Sequence, residues 1–223
     1  MLLLLFLVLA FGLGSIPFSY IIGKSVKGID LRQHGSGNLG STNVFRNLGP
    51  GWGILCLVLD MGKGAVAVAL MTAAVHALPA AEPTPLHITP DLFRIFAGFA
   101  ASIGHTFSPF VGFHGGKGVA TTGGAFLVLE PYATLVTLAA FGAVFATTRI
   151  VSLASVTAAS VLPLAVFFFE LKSLGTSKTI IAFSVVICAW VLFKHRGNIA
   201  RLRDGTEGRI TTTEADDDSS QGS

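Results

Sequence analysis

The chain has 223 residues, of which 52% are hydrophobic and 12% charged. A soluble domain carries roughly 25% charged residues, so this composition, with a mean hydropathy of +0.71, excludes a secreted disulfide scaffold, a disordered chain and a nucleic-acid binder, and leaves a polytopic membrane protein. The formal net charge of +3 then marks the cytoplasmic side of a bilayer, not a surface for nucleic acid.

In chain order, the sequence reads as seven spans. Residues 1–23 are apolar, with no basic residue before them and Lys24 and Lys27 after them. A cleaved signal peptide has the opposite layout, so this run reads as a retained first span entering from outside. Residues 24–51 are polar and glycine-rich. The second span runs from Trp52 to about Leu78, and a Pro-rich loop, residues 79–91, follows it. The third runs from about Leu92 to Phe113. Val119–Leu129 is apolar but short, Pro131 breaks the run, and Tyr132–Thr147 continues it; we divide this stretch into two short spans at Glu130–Pro131. Val151–Phe169 and Thr179–Phe193 complete the set. Cys56 and Cys188 fall in apolar runs and read as buried thiols. The end of the chain, TTTEADDDSSQGS, lacks apolar periodicity and reads as a disordered acidic tail from residue 209.

Charge tests this topology. With the N-terminus outside and the C-terminus inside, the inner face holds Lys24, Lys27, Arg32, Arg46, Lys117, Arg149, Lys194, Arg196, Arg201, Arg203 and Arg209. The outer side holds Arg94, Lys172 and Lys178, and Lys63 lies within a span. A six-span version would move Lys194 to Arg209 outside, against the positive-inside rule.

Three glycine-rich polar segments interrupt the apolar spans, and this topology puts all three on the inner face: residues 35–49, 104–124 and 194–208. Irregular backbone at membrane depth survives only where protein buries it or it lines a cavity. The first segment contains a literal GxGxxG over Gly35–Gly40, but no buried strand precedes it, so it is no dinucleotide fold. Its glycines can still turn N–H groups toward an anion. Ser41, Thr42 and Asn43 can cap a following helix whose N-terminus favours phosphate, and Arg46 lies one turn on. The second segment offers His105, His114 and Lys117, with Gly112, Gly115, Gly116 and Gly118 around them; it does not fit a Walker A loop. The third carries His195, Arg196, Asn198, Arg201 and Glu207, with His195, Asn198 and Arg201 neighbours if the segment is helical. Asp60 and Lys63, at i and i+3 in the second span, either pair with each other or brace the site. Ser152 and Ser155 open the sixth span. No metal-ligand box, HxxxxD pair or GxSxG elbow occurs, so the chemistry must run on phosphate binding and orientation. A transporter for a phosphorylated solute is the rival reading; it would need polar groups near the midplane and a path outward.

Taken together, GSGNLGSTNVFR, Asp60-Met-Gly-Lys63-Gly64, GHTFSPFVGFHGGKGVATT and HRGNIARLRDGTE resemble, in order and spacing, the motifs of the small polytopic bacterial acyl-phosphate-dependent glycerol-3-phosphate acyltransferases. The resemblance covers residues 1 to about 208. Ser41 stands where that family usually has Ala. The resemblance implies an all-α membrane helix bundle forming one domain over 1–208, in the bacterial inner membrane, with its active site on the cytoplasmic face. It implies acyl transfer from acyl phosphate to the 1-hydroxyl of glycerol 3-phosphate, giving lysophosphatidic acid and phosphate, with no cofactor. A soluble producer of acyl phosphate is a candidate partner. It implies phosphate and glycerol-phosphate contacts from Ser36, Gly37, Asn38, Thr42, Asn43, Arg46, His105, Gly115, Gly116, Gly118, Arg196, Arg201 and Glu207. Lys117 is implied to neutralise the anhydride, with His195 and Asn198 orienting the acceptor hydroxyl and Ser152 beside them.

Overall fold

A computed structural model describes residues 2–77, 89–172 and 177–210. Among the described residues all regular structure is helical: α1 (Leu2–Ser15), α2 (Phe18–Lys27), α3 (Ser41–Leu48), α4 (Pro50–Ala77), α5 (Pro90–Thr106), α6 (Val119–Leu129), α7 (Pro131–Thr148), α8 (Val151–Lys172), α9 (Lys178–Lys194) and α10 (Arg196–Arg203), with a 3₁₀ turn at Pro109–Val111. Proline sets several of these limits. α1 stops before Pro17, whose ring disfavours helix in the residue before it, and α2 resumes directly after. Pro90 and Pro131 start α5 and α7, where a missing N–H costs nothing. The break expected at Glu130–Pro131 is therefore present, with Glu130 outside the helical conformation (φ −142°, ψ 74°) between α6 and α7.

Several boundaries differ from the sequence reading: the first span, read over 1–23, is broken at Pro17 and continues to Lys27. α5 ends at Thr106, not near Phe113, because the following Phe-Ser-Pro turns the chain into the 3₁₀ turn. Within the polar stretch 24–51 lie the end of α2 and α3, the short helix expected after the first glycine segment. Of the Pro-rich loop read over 79–91, residues 79–88 lie outside the described residues and Pro90 and Asp91 instead begin α5; of the acidic tail read from 209, residues 211–223 lie outside them.

Leu4–Lys27, Pro50–Ala77, Pro131–Thr148 and Val151–Phe169 are long and apolar enough to cross a bilayer. α9 and α10 form a further candidate, bent by 61° at His195. α6 has 11 residues, a rise of about 16 Å, against a hydrocarbon core of about 30 Å. The surface is apolar where a soluble protein would be polar: Leu4, Val8, Ile54, Val58, Leu135, Leu164 and Val186 are all more than half exposed. Meanwhile Asp60, Lys63, Ser102, Thr121 and Thr122 are buried. That inversion is what a lipid solvent demands. Cys56 is buried as expected, and Cys188 is partly exposed.

α1 packs on α5, α4 on α6, and α7 on α8, with α9 closing against α8 and α5. Small residues allow the α4–α6 contact. A Cβ on Gly64 would lie 1.9 Å from the Thr121 carbonyl oxygen, and one on Gly124 would lie 1.8 Å from that of Met61. Such backbone approach is how membrane helices gain packing without a hydrophobic drive between them. The main core gathers Phe126, Leu129, Leu162, Val166, Ile187 and Val191 from α6, α8 and α9, and Phe126 stacks on Phe183 with centroids 5.6 Å apart. The short α6 is thus fixed inside the bundle, and its N-terminal end meets the site.

Candidate active site

A cavity of about 880 Å³ lies among these helices. One end is apolar, lined from α4, α6, α7, α8 and α9 by Leu57, Phe126, Leu138, Phe141, Leu162 and Ile187. The other end is polar. There Gly40, Ser41 and Thr42 begin α3, Gly118, Val119 and Ala120 begin α6, and Val151 and Ser152 begin α8. Three helix N-termini therefore converge, each offering unpaired N–H groups and the positive end of a dipole. Arg46, Lys117 and Arg201 line the same end.

The second glycine segment supplies the lysine. The Gly115 and Gly116 N–H groups donate to the Thr106 and His105 carbonyls at 3.0 and 3.1 Å, which folds the turn back onto the end of α5. A Cβ on Gly115 would strike the His105 carbonyl at 1.9 Å, so the approach requires glycine. Gly118 caps α6 with φ +80°, a left-handed conformation that glycine adopts without strain. Lys117, between them, is half-buried and donates to Asn198 Oδ1. Burial pushes its ammonium down to about 8; Glu207 opposes this, while Arg201 and Lys194 add to it.

The third segment forms a bonded set. Glu207 Oε1 accepts from Asn198 Nδ2 at 2.6 Å and from Ser152 Oγ at 2.7 Å, and Oε2 accepts from Arg201 Nε at 2.7 Å. Burial pushes the Glu207 carboxyl up, but the bonds from Ser152, Asn198 and Arg201 and the Arg201 charge hold it below its usual value. His195, 3% exposed, places Nδ1 2.8 Å from the Val191 carbonyl oxygen. A carbonyl only accepts, so Nδ1 carries the proton, and the neutral ring has its lone pair on Nε2.

Chain 204–210 then crosses the polar end. Arg46 Nη2 donates to the Gly208 carbonyl at 2.9 Å, the Ile210 N–H donates to the Arg149 carbonyl at 2.9 Å, and Ile210 is buried. Sequence reading placed the end of the domain at 208 and gave Gly208 and Ile210 no role. One apolar residue before an acidic run is the only signal it had.

The sequence-selected residues separate into three groups. Ser36, Asn38, Thr42, Arg46, His105, Lys117, Gly118, Ser152, His195, Asn198, Arg201 and Glu207 line the cavity. Gly37 and Gly115, with Ser36 and Asn38 again, line an adjoining open cleft of about 500 Å³. Asn43, Gly116 and Arg196 line neither. Asn43 is 1% exposed; its Oδ1 accepts from the Ser36 N–H and its Nδ2 donates to the Leu31 and His34 carbonyls, so it shapes the loop. Gly116 packs under His105. Arg196 turns back on the Phe193 carbonyl and ring. Ser41, Thr42 and Asn43 lie within the first turn of α3 and do not cap it, Gly40 taking the cap position. Asp60 and Lys63 do both things the sequence allowed: they pair at 2.8 Å, and Asp60 borders the cavity.

Residues 4–205 match the family model described as glycerol-3-phosphate acyltransferase. The chain belongs to the glycerol-3-phosphate acyltransferase family. Curated acyltransferases of that name are similar along nearly the whole chain. The one from Desulforudis audaxviator is 43% identical over 91% of this chain and 93% of its own length. That from Synechococcus sp. strain CC9902 is 45% identical over 93% and 94%. The crystal structure of PlsY (YgiH), an integral membrane glycerol 3-phosphate acyltransferase in its glycerol 3-phosphate form, superposes with a TM-score of 0.80, at 36% identity over 95% of this chain and 97% of that one. The same protein's lysophosphatidic acid form gives 0.77 at 34% identity. This acyltransferase is therefore a multi-pass integral membrane protein.

Proposed function

We propose that the acyltransferase moves a fatty acyl group from acyl phosphate to the 1-hydroxyl of sn-glycerol 3-phosphate, releasing 1-acyl-glycerol 3-phosphate and inorganic phosphate at the start of phospholipid synthesis. The observation that carries this reading is the two-ended cavity, with three helix N-termini, Lys117, Arg46 and Arg201 at one end and aliphatic and aromatic side chains at the other. Donor and acceptor each bring a phosphate, and only the donor brings an acyl chain. An anion site continuous with an apolar groove meets both needs.

In this reading the acyl chain lies along α4, α6, α7 and α8, and its mixed anhydride rests at the N-terminus of α6. Lys117 neutralises charge on the carbonyl oxygen as the tetrahedral intermediate forms, aided by the α6 N–H groups. Arg46, Arg201 and the first turn of α3 hold glycerol 3-phosphate. The Glu207 carboxylate fixes Asn198 and Ser152, and Asn198 in turn orients the Lys117 ammonium. The acceptor hydroxyl loses its proton to His195 Nε2 or to the leaving phosphate. Phosphate is a competent leaving group, so no acyl-enzyme is required, and rate arises from proximity and charge stabilisation. Gly37, Gly115 and the cleft beside them admit phosphate from the aqueous side.

Charge placement supports seven crossings, with the N-terminus outside and the polar end of the cavity in the cytoplasm of a bacterial inner membrane. A soluble acyl-phosphate producer would meet the protein on that face. The test is turnover by purified protein with labelled glycerol 3-phosphate and, in parallel, acyl phosphate, acyl-CoA and acyl carrier protein donors. Lysophosphatidic acid from acyl phosphate alone is the expected result. Equal use of acyl-CoA would overturn the donor assignment. Flux of glycerol 3-phosphate in proteoliposomes without acylation would favour a transporter.

A further inference from the structure

The cavity's polar end has a buried ionic cluster behind it that the mechanism above does not use. Asp60 and Lys63 lie on α4, 1% and 3% exposed, and His105 lies at the end of α5, 8% exposed. Lys63 Nζ has three polar neighbours: Asp60 Oδ1 at 2.8 Å, the Ile16 carbonyl oxygen at 2.9 Å and His105 Nδ1 at 2.9 Å. The Phe18 ring covers the ammonium with its centroid at 5.5 Å. The thiol of Cys56 stands 3.6 Å from Asp60 Oδ2.

An ammonium has three donors and no acceptor. Two of its neighbours here, the carbonyl and the carboxylate, can only accept. His105 Nδ1, at the same distance, must accept as well, and an accepting Nδ1 carries no proton. Asp60 Oδ1, at 3.4 Å, is farther from Nδ1 than Lys63 Nζ is. The ring proton is therefore on Nε2. That atom has no hydrogen-bond partner among the described residues. It lies against Gly116, where a Cβ would come within 2.1 Å of it, and His105 borders the cavity.

We propose that Lys63 is a positioning residue that fixes the tautomer of His105, so that the imidazole directs its Nε2–H at an anionic oxygen held by the Gly115–Gly118 turn. The proposal rests on the acyl-transfer reading and deepens it. Lys63 touches no substrate; it acts through the ring. Asp60 pairs with the lysine, and the Ile16 carbonyl just after α1, which also accepts from the Phe18 N–H at 3.1 Å, completes the shell and ties the break at Pro17 to the site. The histidine then differs from His195, which is held in the opposite tautomer by the Val191 carbonyl. One ring offers a donor and the other a lone pair.

The test uses the full chain in detergent micelles with nitrogen-isotope-labelled histidine. NMR reads the tautomer of each ring, and the His105 signals are identified by their loss in His105→Gln. We expect an Nε2-protonated His105 in the wild type, and a shift toward the other tautomer in the charge-neutral pair Asp60→Asn with Lys63→Met. Kinetics give the second readout. The Gln amide nitrogen can reach the place of Nε2, whereas that of Asn reaches only the place of Nδ1. His105→Asn should therefore lose at least about tenfold more kcat/KM than His105→Gln. Adding the Asp60/Lys63 changes to His105→Asn should cost little more, because both act through one ring. An Nδ1-protonated or doubly protonated ring in the wild type, or equal losses for Asn and Gln, overturns the proposal. The spectrum decides the tautomer even where the double variant fails to fold. It also does so if the wild type transfers no acyl group, a result that would instead sink the reaction assignment.

Discussion

Raising the pH tests the role of Lys117 without any mutation. Burial holds its ammonium near 8 where a free lysine titrates near 10.5. The charged form is the low-pH form, so charge stabilisation by Lys117 is present below pH 8 and is lost as pH rises through it. With a value of about 8, roughly nine-tenths of the enzyme is competent at pH 7 and just under one-tenth at pH 9, so kcat/KM should fall about tenfold over that interval. kcat/KM reports the free enzyme, and kcat reports the loaded one. Two bound phosphates favour the ammonium, so the fall in kcat should come at higher pH than the fall in kcat/KM. The assay is initial-rate acyl transfer across pH 6–10, with donor hydrolysis subtracted. Lys117→Arg is the control, because a guanidinium stays charged throughout. That variant should be slower and should lack the alkaline fall. A wild-type kcat/KM that stays flat to pH 10, or an identical fall in Lys117→Arg, would refute the assignment.

Two further changes probe the frame around the lysine. Glu207→Ala removes the acceptor of Ser152, Asn198 and Arg201. With the Arg201 side chain half exposed, its bond is screened, and the three together amount to about 3 kcal/mol. Thermal melting in detergent should fall by several degrees and turnover should collapse, while Glu207→Gln, which keeps one oxygen for Ser152 and Asn198, should fall between; wild-type behaviour in both variants would contradict the network. Gly64→Ala gains about 1 kcal/mol of helix propensity but sets a methyl 1.9 Å from the Thr121 carbonyl oxygen. The neighbour is backbone and cannot swing away, so overpacking of about 1–3 kcal/mol or more should win and lower the melting temperature. A higher one would show that α4 and α6 are not in contact there.

What the sequence determined by itself was the solvent and the positions of most of the breaks. The scarcity of charge required a bilayer, Pro131 interrupted an apolar run because its ring cannot continue a helix, and the glycine-rich segments at 35–49, 104–124 and 194–208 marked where backbone leaves the helix; the break at Pro17 emerged only in the structure. Those signals are local, and they also picked out Lys117, His195, Asn198 and Glu207. Tertiary structure decided how the polar groups are used. Asn43 looks as available as Thr42 in the sequence, yet its amide is consumed by the loop it folds, whereas Thr42 borders the cavity. Arg196 and Arg201 are five positions apart on a short helix, and only Arg201 faces Glu207. The partnership of Lys63 with His105 spans 42 positions, and the hold of Gly208 on Arg46 spans 162. Spacing along a chain fixes which side chains share a helix face, but which faces meet depends on how closely whole helices can approach. In this bundle that is set by glycines such as Gly64 and Gly124, where two backbones touch.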